Sequence, residues 1–178
     1  MSVAELETAR LILRPPVMGD FDDFAAFCAD AEVMHFLGGP QARSVAWRGF
    51  SGVVGAWMLL GFSMFSVFER SSGRWIGRVG PHKPVDWPGT EVGWGLVRDA
   101  WGKGYAVEAA EAAMDYAVDR LGWTDIIHCI DKDNLPSQAV AQRLGSSLRG
   151  TAMLPAPASV EIDIWAQTAE QWRARRSR

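Results

Sequence analysis

Apolar side chains recur along the chain at two spacings, which predict its strands and helices. Short apolar stretches bounded by Gly, Pro and Ser predict strands, and apolar residues three and four positions apart predict amphipathic helices. The predicted strands cover residues 10–14, 62–68, 75–79, 91–97, 125–130, 147–149 and 160–165. The predicted helices are one beginning at Asp20, one capped by Ser44 and ended by Gly61, and three covering 104–121, 136–144 and 170–176.

The order of these elements predicts the fold class. Three strands between residues 62 and 97 are joined by turns and should form an antiparallel meander, after which strands and helices alternate. We therefore expect an α/β (α+β) fold with a mixed, mostly antiparallel twisted sheet and helices on both faces. A chain of 178 residues fits one domain. We place this domain at 7–172, followed by a basic C-terminal tail at 173–178 that we interpret as a solvated helix end.

Composition and charge exclude several classes of protein. The chain is 48% hydrophobic and 22% charged, and its net charge of −3 gives no bias towards nucleic acid. The longest apolar-rich stretch, 53–68, is broken by glycines and Ser63, so no membrane span is predicted. Because no secretory leader is evident, we expect a cytoplasmic protein with reduced cysteines. Cys28 and Cys129 lie far apart without a CxxC pattern, so neither a metal site nor a disulfide is predicted.

Candidate chemistry begins with the segment 101–106, Trp-Gly-Lys-Gly-Tyr-Ala, which joins a predicted strand to the longest predicted helix. Gly102 and Gly104 would let a large ligand approach the backbone. The first N–H groups of a helix lack partners and carry partial positive charge, which suits phosphate, and Lys103 adds a formal charge. Neither a Walker A nor a Rossmann pattern matches. Glycine spacing alone therefore leaves a phosphate cradle and a ligand-free helix start equally open.

Four stretches in this order resemble the GNAT acetyltransferase superfamily. They cover 7–14, 91–96, 101–109 and 134–145, and the similarity extends from about Glu7 to Trp172. Within the superfamily, they are most similar to the branch that acetylates the N-terminal alanine or serine of ribosomal proteins. That branch often carries tryptophan where Trp101 stands, whereas the superfamily at large has Gln or Arg. The stretch departs from the pattern at Ser146, where an aromatic residue often follows the glycine.

This resemblance implies that an acetyl group is moved from acetyl-CoA to a primary amine, without a metal and without a covalent enzyme intermediate. The backbone near the end of the central strand would hold the pantetheine arm, with the N–H of Val97 polarising the thioester carbonyl. The pyrophosphate would lie on the loop and the first helical turn. The residues that the resemblance assigns to the cofactor are Leu96, Val97, Gly102, Lys103, Gly104, Tyr105, Ala106 and Asn134.

Two residues are candidates for acid–base chemistry. Glu91 begins the central strand and would accept a proton from the amine, directly or through water. Ser137 lies in the first turn of the last helix and, by the resemblance, would protonate the leaving thiolate. Each has a structural alternative: Glu91 as a solvated carboxylate, and Ser137 as a helix N-terminal serine bound to backbone N–H groups. Asn134 is likewise either a capping residue or a cofactor contact.

The sequence leaves alternatives open for the acceptor and for the overall function. Four aromatic residues would either wall the acceptor site or pack in the core; they are Phe36, Trp47, Trp87 and Trp94. His82 is predicted to be a surface histidine in the loop near the acceptor. The acceptor would be a protein N-terminus or a small antibiotic-like amine, and a homodimer is one option. A non-catalytic CoA-sensing module and, with less support, a nucleotide-phosphate regulator stay as competing hypotheses.

Overall fold

The computed structural model describes residues 5–177, and its strands form a single eight-stranded sheet in the order β1-β2-β3-β4-β5-β6-β8-β7. Neighbouring strands are antiparallel except for β5 and β6, which are parallel. The strands are β1 Leu6–Glu7, β2 Leu11–Arg14, β3 Phe65–Glu69, β4 Trp75–His82, β5 Glu91–Leu96, β6 Asp125–Ile130, β7 Ser147–Met153 and β8 Glu161–Thr168.

Five α-helices cover the two faces of this sheet. Phe24 and Phe50 of the first two helices pack with Trp75 on one face. Met114 and Trp172 of the third and fifth helices share a buried cluster with Ile76 on the other. The helices are α1 Phe21–Ala29, α2 Arg43–Leu60, α3 Tyr105–Asp119, α4 Leu135–Leu144 and α5 Ala169–Arg176. The predicted fold class, a mostly antiparallel sheet between helices, is confirmed. Within residues 5–177, none of these helices has the length and apolar character needed to cross a membrane.

Some local predictions were wrong. Ser44 does not cap α2, because the helix begins one residue earlier and Ala42 occupies the N-cap position without a side-chain bond. By contrast, the C-terminal arginines lie at an exposed helix end, as predicted. Arg173 and Arg176 lie in or beside the last turns of α5 and form ion pairs with Asp119 and Asp115 of α3. Strands β4 and β7 also extend several residues beyond their predicted ends.

A bulge in β4 decides which of its side chains share a face. Val67 pairs with Gly77 and Phe68 pairs with Trp75, so Ile76 is an extra residue in the ladder. Trp75 and Arg78 would face opposite sides of a regular strand, since they are three positions apart. With the bulge, both reach Phe27 of α1, at ring-centroid and guanidinium-to-ring distances of 5.8 Å each.

The parallel strands β5 and β6 meet at one end only. Their ladder contains a single pair, Glu91 with Ile127, and the strands separate beyond it. The indole of Trp94 and the imidazole of His128 lie in this region with their centroids 4.8 Å apart. The separation leaves one edge of β5 without a strand partner.

Candidate active site

The loop before α3 presents a run of free backbone donors. Gly102 and Gly104 have φ angles of +71° and +80°, in the left-handed region that favours glycine. Among the described residues, no N–H from Gly102 to Val107 donates a hydrogen bond, and the N–H of Glu108 is the first to do so, to Gly104 O at 3.1 Å. Successive free N–H groups at a helix N-terminus form a site for phosphate oxygens.

Arg10, the residue immediately before β2, holds this loop in place. The Arg10 guanidinium donates to Lys103 O at 2.9 Å and to Glu108 Oε2 at 2.6 Å, and it lies over the Tyr105 ring at 4.5 Å. Glu108 Oε1 also accepts the hydroxyl of Thr8 at 2.6 Å. These bonds fix the loop backbone while using none of its N–H groups. Neither Arg10 nor Glu108 carries a local sequence signal of this role, because the two residues lie 98 positions apart and only the fold brings them together.

The side chains of the cradle residues play different parts from their backbone. Tyr105 is buried and donates its hydroxyl to Glu69 Oε1 at 2.6 Å, so only its N–H faces the cradle. The indole N–H of Trp101 donates to Leu96 O at 2.8 Å and ties the loop to the end of β5.

The directions of the N–H groups at the end of β5 change the predicted assignment of the group that polarises the thioester carbonyl. Val97 was predicted to polarise the thioester carbonyl with its N–H, but this N–H donates to Ile76 O at 2.9 Å and is not free. Successive peptide groups of a strand point to opposite edges, so the N–H groups of Trp94 and Leu96 face the side where β6 has separated. Leu96 thus lies at the free edge, whereas the Val97 N–H belongs to the ladder with β4.

Ser137 faces this edge from the start of α4. The indole N–H of Trp94 donates to Ser137 Oγ at 3.3 Å, so the serine hydroxyl proton can be donated elsewhere. Asn134 Oδ1 accepts the N–H of Ser137 at 3.1 Å, which makes Asn134 the N-cap of α4. The capping role of Asn134 is therefore present, and its amide NH₂ is left over for a ligand.

Glu91 is buried at the point where β5 and β6 meet. Only 6% of the residue is exposed, so the alternative of a solvated carboxylate is wrong. Its Oε2 accepts the indole N–H of Trp87 at 2.6 Å, and its Oε1 accepts the backbone N–H of Cys129 at 3.1 Å. Burial raises the pKa of Glu91 to about 7, although both donors and Arg78 act in the opposite direction. A carboxyl with such a pKa exchanges protons readily at neutral pH.

The histidines near Glu91 are neutral. His82 lies on β4 directly opposite Glu91, partly buried with its ring edge-on to Trp87 at 4.9 Å, and is not the surface residue predicted. Burial, with help from Arg78, lowers the pKa of His82 to about 4. His128 is buried, and its Nδ1 lies 2.7 Å from Val92 O. Burial lowers its pKa to about 4 as well.

The four aromatic candidates separate into two groups. Trp87 contacts Glu91 and Trp94 contacts Ser137, so both lie at the candidate site. Trp47 packs against Phe21 and Phe50 between α1 and α2, and Phe36 lies against His35. The structure does not bring Trp47 or Phe36 to Glu91 through any described contact.

The two cysteines are free thiols. Burial raises the pKa of Cys28 and of Cys129, and the Glu91 carboxylate adds to the effect at Cys129. Both are thus protonated at neutral pH, which is the inert state of a thiol. Within residues 5–177, no three His, Cys, Asp or Glu side chains gather as a metal site would require.

Comparison with known proteins assigns this geometry to a family. Residues 10–147 match the acetyltransferase (GNAT) domain. The chain belongs to the GNAT acetyltransferase family. Enzymes of this GNAT family use acetyl-CoA, and the free N–H groups of the loop before α3 fit its pyrophosphate. The predicted family and the predicted enzyme class, an acetyltransferase, are confirmed.

Individual relatives agree with this assignment. An acetyltransferase from Agrobacterium tumefaciens has a solved structure that superposes with a TM-score of 0.81 at 30% identity, over 94% of this GNAT chain and 95% of the other. The uncharacterized N-acetyltransferase p20 of Bacillus licheniformis is 28% identical over 82% of this chain and 83% of its own. YkkB of Bacillus subtilis is 31% identical, but the match spans about half of each chain, 48% here and 51% there.

A structure of the ribosomal L7/L12 α-N-protein acetyltransferase RimL shares the fold. It superposes with a TM-score of 0.75 at 18% identity, over 93% of this chain and 94% of RimL. At this identity the similarity concerns the fold alone.

Proposed function

We propose that this enzyme acetylates an α-amine, with a protein N-terminus as the acceptor and acetyl-CoA as the donor. The observation that carries the proposal is the buried Glu91 carboxyl, whose pKa is raised to about 7. An α-amine has a pKa of roughly 8 and a lysine amine roughly 10.4. A base of pKa about 7 is close to the first and far from the second, so Glu91 suits an α-amine.

The contacts of Glu91 support this role as base. Its two oxygens each accept one hydrogen bond, from Trp87 and Cys129, and a carboxylate offers about four lone-pair sites. Lone pairs remain to accept a proton from the ammonium or from a bridging water. The neutral amine then attacks the thioester carbonyl carbon, and a C–N bond forms.

The free edge of β5 supports the second part of the reaction. The N–H groups of Trp94 and Leu96 face the gap beside β6 and are positioned to donate to the pantetheine arm or to the carbonyl oxygen. Fixed backbone donors stabilise developing negative charge without reorganisation. These two groups replace the N–H of Val97, which is bonded to Ile76.

Ser137 completes the cycle when the C–S bond breaks. Its oxygen already accepts the Trp94 N–H, so its own proton can pass to the departing sulfur, and the serine is reprotonated from solvent. The nitrogen loses its remaining extra proton to solvent, and Glu91 releases the proton it took, so the products are the amide, the free thiol and one proton. No covalent enzyme intermediate is needed. Lys103 and the loop N–H groups hold the donor throughout.

Peptide acceptors test the proposal. The enzyme is incubated with acetyl-CoA and with peptides that contain one lysine and carry either a free or a blocked N-terminus, and the acetylated position is located by tandem mass spectrometry. We expect acetyl on the free α-amine and little on lysine. Equal labelling of lysine in the blocked peptide would contradict the preference for an α-amine.

A further inference from the structure

The guanidinium of Arg78 has no acidic partner in the part of the chain that is described. Arg14, Arg74 and Arg98 each bind a carboxylate. The Arg78 Nη1 instead donates to the thioether sulfur of Met64 at 3.0 Å, and its buried Nε has no hydrogen-bond partner. A thioether is a weak acceptor. Arg78 is thus a largely enclosed cation whose hydrogen-bonding capacity is mostly unused.

An unpaired cation in this position has an energetic cost. Taking a charged group from water is unfavourable unless hydrogen bonds and an opposite charge compensate. Cys28 is close enough to interact with Arg78, but burial raises the pKa of its thiol, so it supplies no negative charge. Glu91 is the other acidic group whose charge acts on Arg78. If Glu91 takes up the proton of the amine, even this distant compensation is lost.

Side-chain contacts lead from Arg78 to Glu91. Both are on the face of the sheet that α1 covers, and a chain of close contacts joins them. The Met64 sulfur touches Arg78, and the Met64 methyl lies over Gly93, where a Cβ atom would be 2.8 Å from it. The same Cβ position is 3.4 Å from Glu91 Oε1. The flexible Met64 side chain therefore lies on the path of contacts from the guanidinium to the carboxyl.

We propose that Arg78 binds a carboxylate of the acceptor while the amine of the same acceptor is held at Glu91. The carboxylate displaces the Met64 sulfur and forms charge-assisted hydrogen bonds with the guanidinium, which offers a planar fork of donors. The acceptor is therefore an amine with a nearby carboxylate. This inference rests on the proposed acetyl transfer at Glu91 and adds the chemical class of the acceptor.

Three sources of such a carboxylate are distinguishable. It belongs to the side chain of the first residue of a peptide, to the side chain of the second, or to the α-carboxyl of a free amino acid. Each source has an uncharged amide of nearly the same shape. The matched pairs are peptides beginning with Asp or Asn, peptides beginning with Ser-Asp or Ser-Asn, and free serine or serinamide.

The experiment measures kcat/KM for each pair by thiol release at saturating acetyl-CoA. We expect the wild-type enzyme to prefer the carboxylate in one pair by about 10- to 100-fold, the range for hydrogen bonds to charged groups. Arg78→Met should reduce this preference to below about 2-fold, mainly through KM, while CoA affinity stays unchanged. Arg48→Met removes the same charge from an exposed position on α2 and should keep the preference.

Arg78→Lys provides a second test if Arg78→Met does not fold. Lysine keeps the charge but lacks the planar fork, so the preference should fall by several-fold without disappearing. The inference is overturned if no pair is distinguished by the wild-type enzyme, or if the preference survives in both Arg78 variants. Those results would leave acetyl transfer itself intact, whereas the absence of any acetylated product would contradict the proposed function. A preference confined to free serine would support Arg78 and replace the protein N-terminus by an amino acid.

Discussion

The indole N–H of Trp94 donates to the hydroxyl oxygen of Ser137 over 3.3 Å, linking the free edge of β5 to the first turn of α4. The bond has a direction that matters. A serine that accepts from tryptophan is free to donate its own proton, which is the proton that a departing thiolate requires. In the proposed mechanism, Trp94 would therefore be a positioning residue for Ser137.

Replacing Trp94 by phenylalanine should slow the release of thiol from acetyl-CoA. Phe keeps an aromatic ring beside His128 but removes the N–H, and we expect kcat to fall by roughly 2- to 10-fold, the value of one neutral hydrogen bond. With an acetylated aryl thiol as donor, the leaving group needs no proton and the deficit should disappear. Trp165→Phe is a matched control, because the buried Nε1 of Trp165 has no partner among the described residues. An equal deficit with both donors would contradict the role of Trp94.

The rate should depend on the ionisation of Glu91. Burial raises the pKa of this carboxyl to about 7, so the fraction of active base increases as the pH passes through that value. We predict that kcat/KM rises with pH with an apparent pKa near 7 and that Glu91→Gln removes this limb. The rate should fall by about 10- to 100-fold, at or below the lower end of the usual effect of a positioned acid–base group, because an α-amine is easily deprotonated. The measurement is a pH–rate profile of both proteins with a peptide acceptor. A wild-type limb that survives in Glu91→Gln would assign the ionisation to another group, such as the acceptor amine.

The effect of the loop conformation on CoA binding can be measured separately from its effect on the stability of the protein. Gly102 and Gly122 have φ angles of +71° and +69°, and a Cβ atom at either would meet nothing within 4 Å. Alanine at each position should thus cost a similar amount of unfolding free energy, about 1 kcal/mol. Gly102→Ala should also weaken CoA binding by at least ~10-fold, because its backbone conformation aims the N–H groups at the pyrophosphate. Calorimetric titration of CoA that gave both variants the wild-type affinity would argue against this cradle.

The buried His128 should make the protein sensitive to acid. Its pKa is lowered from 6.5 to about 4 by burial, so the folded protein binds the proton less readily than the unfolded chain. The stability that His128 contributes is present above pH 6.5 and is lost as the pH falls towards 4, by roughly 3 kcal/mol in all. Denaturant titrations of wild type and His128→Gln across this range should show a smaller loss in the variant. Glu91, whose pKa is raised, acts in the opposite direction, so the comparison between the two proteins carries the test.

Local patterns in the sequence were sufficient for the cradle and its helix. Gly102, Gly104 and the apolar face that follows specify a left-handed loop and a buried helix through short-range preferences. Glu91 and Ser137 were also found, because they sit at the ends of elements that the pattern located. Their roles as base and acid stay predictions until the variants are measured.

Features that depend on pairing between strands could not be predicted. The bulge at Ile76 turns Arg78 towards α1, and nothing in the local sequence of β4 marks an extra residue. The N–H of Val97 was misassigned because its direction is set by the register of β5 with β4. His82 was expected at the surface, but β4 extends to it and places it opposite Glu91. Each of these is a consequence of long-range register, which side-chain pattern alone does not fix.

The double variant Glu91→Ala/Ser137→Ala tests the central claim most directly. Acetyl transfer to a peptide acceptor is quantified by mass spectrometry, and CoA affinity is measured on the same preparations. The account predicts product with the wild-type enzyme, none above background with the double variant, and the same CoA affinity for both. Undiminished product from the double variant would contradict acid–base catalysis at this site, and tight CoA binding without product from the wild-type enzyme would contradict acetyl transfer itself.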